Sequence, residues 1–175
     1  RVAAGTKANL FEAVTAAIAT LDGPAHGGAA EDVMKMVKEI GNPENAAAYV
    51  RDLLERGERI TGFGHRVYKF EDPRACHLED GVQKLSQEAG NPTWYSILKA
   101  VQEQMEPFKA RGIYPNVDFF AGVAYHLMGF DREMFVPIFA VGRIPGWTAQ
   151  FIEQTKDNIL IRPLLRYEGP MERSY

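Results

Sequence analysis

Residues 62–74 read GFGHRVYKFEDPR and place His65 between Gly64 and Arg66, with Lys69 and Arg74 close behind. Such a cluster suits a small anion. The imidazole could hydrogen-bond a carbonyl or carboxylate. The Arg74 fork matches a carboxylate in two parallel bonds, and Arg66 and Lys69 could meet phosphates. Gly62 and Gly64 could let a ligand approach backbone N–H groups. The bland alternative is a solvated basic loop in which Glu71 and Asp72 balance the charge, and the local sequence leaves the two readings even. The G-x-G is not a dinucleotide fingerprint, because no strand reads before it and the third glycine is missing.

Two further stretches combine turn-formers with groups able to move protons. In LDGPAHGGAAED, Gly23 and Pro24 end one helix, while Gly27 and Gly28 allow a sharp turn into the next. His26 then sits near a helix N-terminus, where the macrodipole favours an uncharged ring able to donate to a developing oxyanion. A loop histidine capping a helix is the stronger reading on local sequence alone. In YPNVDFF, Asp118 falls in the first turn of a helix. Favourable interaction with the dipole is its simplest role; as a general base it would feel the dipole lowering its basicity and apolar neighbours raising it. A fourth break, GRIPGW, carries Arg143. His77 and His126 fall mid-helix without a glycine context and are assigned no role, and Cys76 reads as packing.

The elements that would hold these breaks are helical. Leu10, Val14, Ala17, Ile18 and Leu21 share one face of a first helix; Val33, Met36, Val37 and Ile40 share one of a second, stopped by Gly41. Asn42-Pro43 opens a third, with Ala46, Tyr49, Val50, Leu53 and Leu54 inward. A fourth runs from about Asp72 to Ala89. A fifth follows Asn91-Pro92, with the stripe Trp94, Ile97, Leu98, Val101, Met105 and Phe108 as core. Asn116 caps a sixth that reaches Met128. Residues 131–141 and 146–156 read as two more, and ILIRPLLRYEG as extended. The fold class is all-α, with no repeat of fixed period.

The bulk properties narrow the function. The 175 residues are 46% hydrophobic with a formal net charge of −3, which argues against a general nucleic-acid binder. Any anion site must be local. With one cysteine no intramolecular disulfide forms. No Cys/His group has zinc spacing, and the apolar run LFEAVTAAIATL is too short to span a bilayer. The opening RVAAGTKANLFEAV enters a helix almost at once and reads as a chain cut mid-protein.

Five stretches in order, GPAHGGA, GFGHRVYK…DPRA, PNVDFF, GR…GW and IRP, resemble the citrate synthase family, including 2-methylcitrate synthase, in its prokaryotic form. The resemblance implies a multi-helical fold in which residues 28–129 are the small domain and 1–27 and 130–175 are strips of the large one. It implies a citrate synthase-type acyltransferase that condenses acetyl-CoA with oxaloacetate, with propionyl-CoA as the alternative co-substrate, no permanent cofactor and no metal. His26 would hydrogen-bond the thioester carbonyl, Asp118 take the methyl proton, and His65 polarise the ketone. Arg74, Arg143 and Arg162 would bind carboxylates, Arg162 in the partner subunit's site of a homodimer. Ile60, Thr61, Gly62, Phe63 and Gly64 would lie along the CoA adenine, with Arg66 and Lys69 near its phosphates. A cytoplasmic location follows from the prokaryotic motifs.

Three departures accompany the resemblance. Gln150 stands where the family usually has histidine after GWxA, and Asn158-Ile159-Leu160 precedes IRP where Asn-Arg is usual. A further oxaloacetate-binding histidine of the family falls upstream of Arg1, so the chain reads as the C-terminal part of such an enzyme. A non-enzymatic helical or oligomerisation module is the competing class. Citryl-CoA cleavage, which runs much of the same chemistry in reverse, ranks below both because GPAHGG and DPR have the synthase form.

Overall fold

The computed structural model describes residues 1–23 and 26–170; Pro24, expected to end the first helix, lies outside them. Eight α-helices form among the described residues: α1 Val2–Gly5, α2 Leu10–Leu21, α3 Ala29–Ile40, α4 Ala46–Glu55, α5 Pro73–Glu88, α6 Thr93–Met105, α7 Val117–Leu127 and α8 Phe135–Lys156. The expected all-α class holds. β pairing among the described residues is an isolated antiparallel bridge, Phe63–Pro115. Among the described residues no helix is long and apolar enough to cross a membrane.

The chain divides into two compact units, residues 20–142 and residues 1–19 with 143–175. In the larger unit, α3 and α5 both pack extensively on α7, and α4 packs on α6. Their shared core includes Val33, Val37, Val82, Ile97, Leu98, Val101, Phe119 and Val123, all fully buried. Phe135, at the start of α8, joins it. Three helical starts use the same chemistry. Asn42, Asp72 and Asn116 each accept, through a side-chain oxygen, the N–H two residues on. Proline follows Asn42 and Asp72, where its missing N–H costs nothing.

In the other unit, Asn9 and Glu12 form a reciprocal capping box at the start of α2, with bonds of 2.7 and 3.0 Å. Arg1 pairs with Glu153, Asn158 donates to the Gly5 carbonyl at 3.2 Å, and Gln154 donates to that of Ile159 at 3.3 Å. These bonds hold the terminal segments to one another.

Several expectations need correction. GRIPGW is not a break: α8 runs through it without interruption, and 132–134 is a 3-10 turn rather than part of a helix from 131. Pro145 removes only one N–H, and the rungs on either side carry the helix past it. Leu54, expected inward, is 36% exposed, because the larger unit's core is built from other faces, and Ile18 in α2 is 40% exposed. Cys76 is exposed, since α5 turns Ala75 inward instead. Residues 157–170 form neither helix nor strand.

Helices α3 and α7 touch at backbone level. A β-carbon at Gly122 would lie 2.3 Å from the Ala30 carbonyl oxygen. Gly122→Ala should therefore cost about 1–3 kcal/mol by forcing the helices apart. Gly81→Ala, mid-α5, would meet nothing within 4 Å and should gain about 0.5–1 kcal/mol from helix propensity. Urea midpoints of the two variants should move in opposite directions.

Candidate active site

The segment 62–65 is clamped to the start of α7. Gly64 N–H donates to the Tyr114 carbonyl and Asn116 N–H to that of Gly62, both at 2.8 Å. The Asn116 side-chain amide adds a 2.9 Å bond to the Gly64 carbonyl. Asn116 thus caps α7 with its oxygen and holds the histidine loop with its nitrogen. Gly62 is required twice: its φ is +80°, and a β-carbon there would come within 2.9 Å of Phe119. The glycines serve this clamp more than an open nest of N–H groups, since Gly64 N–H is spent on Tyr114.

His65 follows at once, and one edge of its ring is anchored. Nδ1 accepts the N–H groups of Val67 and Tyr68, each at 3.0 Å. Those partners assign the proton of the neutral ring to Nε2. Nε2 lies 3.3 Å from Arg74 Nη2. Both atoms are then donors, so neither satisfies the other, and one acceptor oxygen presented to the pair would satisfy both.

Arg74 is itself held by Asp72. Nε and Nη2 donate to the two carboxylate oxygens at 3.0 and 2.7 Å, and the Arg74 backbone N–H donates at 3.0 Å. The Val117 N–H, at the start of α7, adds a further bond to the same carboxylate. Asp72 is only 2% exposed. Burial pushes its carboxyl up, but the bonds and charge of Arg74 outweigh that and hold it below the usual range. The side edge of the guanidinium is spent on Asp72, leaving the end edge, Nη1–Nη2, to meet an anion.

Asp118 lies in the first turn of α7 in a half-buried setting. Burial pushes its carboxyl above the usual range; positive charge at His26 and Arg74 pulls down, Asp72 pushes up, and His65 pulls down. These influences place His26, His65 and Arg74, from three separate segments, within electrostatic reach of one carboxylate. His26 is exposed in the turn before α3, its N–H donating to the Gly23 carbonyl at 2.8 Å.

The remaining expected residues differ in setting. Ile60 is buried in the core, so only its backbone can meet a ligand. Phe63 packs edge-on against Phe119 with ring centres 4.7 Å apart. Arg66 and Lys69 are exposed. Arg143 lies exposed within α8 and Arg162 exposed in the irregular tail, both in the unit formed by 1–19 and 143–175. Asp72, Tyr68 and the Asn116 amide are contributors that the sequence reading missed. The Asp-Pro and Asn caps were visible, but not what their second atoms would bind.

The family model for the citrate synthase C-terminal domain matches residues 1–164. Citrate synthase 2 of Bacillus subtilis is 45% identical over all of this chain, which covers 46% of that protein. 2-Methylcitrate synthase 1 of Corynebacterium glutamicum is 44% identical over 99% of this chain and 45% of its own length. The chain thus spans less than half the length of these relatives. Among solved structures, the citrate synthase of Thermoplasma acidophilum, in ternary complex with carboxymethyl coenzyme A and oxaloacetate, has a TM-score of 0.91 and 39% identity, covering 99% of this chain and 47% of that one.

The two aspartates give opposite pH signatures. Asp118 holds its proton more tightly folded than unfolded, so its contribution to stability falls as pH rises from 3.8 through its raised folded value. Asp72 holds its proton less tightly folded, so its contribution is present above 3.8 and is lost as pH falls through its lowered folded value. Asp118→Asn should be more stable than wild type at pH 7, with the gain vanishing toward pH 3. Asp72→Asn should lose about 1–3 kcal/mol at pH 7, with the deficit shrinking below pH 3.8. Chemical denaturation across that range reads both.

Proposed function

The chain belongs to the citrate synthase family, and on that premise we propose that the protein it comes from condenses an acyl-CoA with oxaloacetate, releasing free CoA. Asp118 takes a proton from the carbon next to the thioester carbonyl. His26 donates to that carbonyl oxygen as it becomes an enolate. The nucleophilic carbon attacks the oxaloacetate ketone, whose oxygen takes up a proton from His65 Nε2. Water then cleaves the thioester, giving the tricarboxylic acid and CoA.

The observation that carries this reading is the pairing of His65 Nε2 with Arg74 Nη2, 3.3 Å apart, near a carboxylate that burial has made more basic. Two donors suit the oxygens of a keto acid, and a stronger base suits a weakly acidic C–H. Arg74, Arg143 and Arg162 bind the carboxylates, Arg162 across a homodimer. Ile60–Gly64 follow the CoA adenine, and Arg66 and Lys69 its phosphates. Residues 28–129 form the small domain, with 1–27 and 130–175 as strips of the large one, in a cytoplasmic enzyme without a permanent cofactor. The similarity to 2-methylcitrate synthase 1 favours a second reading of the co-substrate as propionyl-CoA.

Thiol release by the complete protein with oxaloacetate and either acetyl- or propionyl-CoA tests the reaction and names the acyl group. Asp118→Asn should lower kcat by about 10²–10⁴-fold while oxaloacetate still binds. Release at the wild-type rate would remove Asp118 as the base.

A further inference from the structure

The ring of Tyr68 lies against both members of the donor pair. Its centre is 4.7 Å from that of His65, with the planes 32° apart, and 5.6 Å from the Arg74 guanidinium carbon. His65 and Arg74 come from different elements, a loop and the first turn of α5. Their meeting is a contact between two donors, which by itself is repulsive when the oxygen between them is absent. Asp72 fixes the guanidinium from one side. The backbone N–H groups of Val67 and Tyr68 fix Nδ1 of the imidazole. Neither restrains the tilt of the imidazole about that edge.

We propose that Tyr68 is a positioning residue: its ring face supports the imidazole of His65 and the guanidinium of Arg74 together, holding Nε2–H and Nη2–H aimed at one acceptor before substrate arrives. Stacking on the imidazole and cation–π attraction to the guanidinium both act through the ring face, not the hydroxyl. Because Tyr68 is 38% exposed on a loop, removing the ring should not disturb the core. The work of the ring is pre-organisation: it prepays the ordering of two side chains that a ligand would otherwise have to impose. This inference rests on the reading of His65 and Arg74 as the oxaloacetate donors.

The test compares Tyr68→Phe and Tyr68→Leu in the complete protein. Both keep the backbone N–H that bonds His65; only phenylalanine keeps the ring. Tyr68→Phe should retain kcat and the oxaloacetate KM within about threefold. Tyr68→Leu should lose about 10–100-fold in kcat/KM for oxaloacetate, with the KM for acyl-CoA and the thermal midpoint unchanged. In ¹⁵N spectra of the imidazoles, with His65 assigned through His65→Asn, the wild type and Tyr68→Phe should show one tautomer protonated at Nε2. Tyr68→Leu should show that signal broadened or averaged. A Tyr68→Leu protein with wild-type kinetics and a sharp Nε2–H signal overturns the proposal. If the wild type shows no turnover, the condensation reading fails while the spectra still decide the support of His65 by Tyr68.

Discussion

The buried carboxylate of Asp72 is the constraint on which the larger unit's chemistry depends. It caps α5, takes the first N–H of α7, and grips the side edge of Arg74. A carboxylate that is 2% exposed could not stay ionised without such donors. The donors, in turn, are orphan groups at two helix starts that would otherwise need water. One side chain thus fixes the relative position of two helix N-termini and the cation beside His65. Because its side edge is spent on Asp72, Arg74 is anchored from that side before any ligand is present.

The second clamp, between residues 62–64 and 114–116, solves a different problem. A loop is the natural carrier of a functional histidine, but a free loop cannot hold a donor within a fraction of an ångström. Here three hydrogen bonds and the Phe63–Phe119 contact tie the loop to the helix that bears Asp118. The close approach at Gly62 makes the tie possible, and the close approach at Gly122 brings α3 against the same helix. The turn preceding α3 carries His26. Helix α7 is therefore the common reference for all three groups that the proposed condensation requires.

Much of this was legible in the sequence. Apolar periodicity placed α2, α3, α4 and α6, and Asn42, Asp72 and Asn116 marked three starts because a short polar side chain before a helix has few other uses. The motif residues His26, His65, Arg74 and Asp118 were readable as candidates, and in the structure they gather within reach of one carboxylate. What escaped were second atoms and long-range partners. The cap signature at Asn116 says nothing of its amide reaching Gly64, 52 positions away in the chain. Asp72 looked like surface charge balance because burial is a tertiary property. The unbroken α8 was missed because Pro145 and two glycines, Gly142 and Gly146, weigh heavily locally, yet a helix can omit one rung when its neighbours hold.

Asp72 and Asp118 show how little of a residue's chemistry lies in its type. Both are aspartates near helix N-termini, where the dipole favours the ionised form. They lie in the same site and influence one another. Asp72 sits at the cap position and collects an arginine edge and two backbone N–H groups, so it stays ionised and structural. Asp118 sits two positions into its helix, past the cap, where its own N–H is already taken by Asn116. It receives charge from a distance but is desolvated, and desolvation wins. Environments that drive two like groups apart in basicity divide the labour between them. One holds a cation in place, and the other is free to accept a proton and return it. The stability surrendered at Asp118 is the counterpart of that freedom: a base fully satisfied by its neighbours, as Asp72 is, would have no reason to take a proton from carbon.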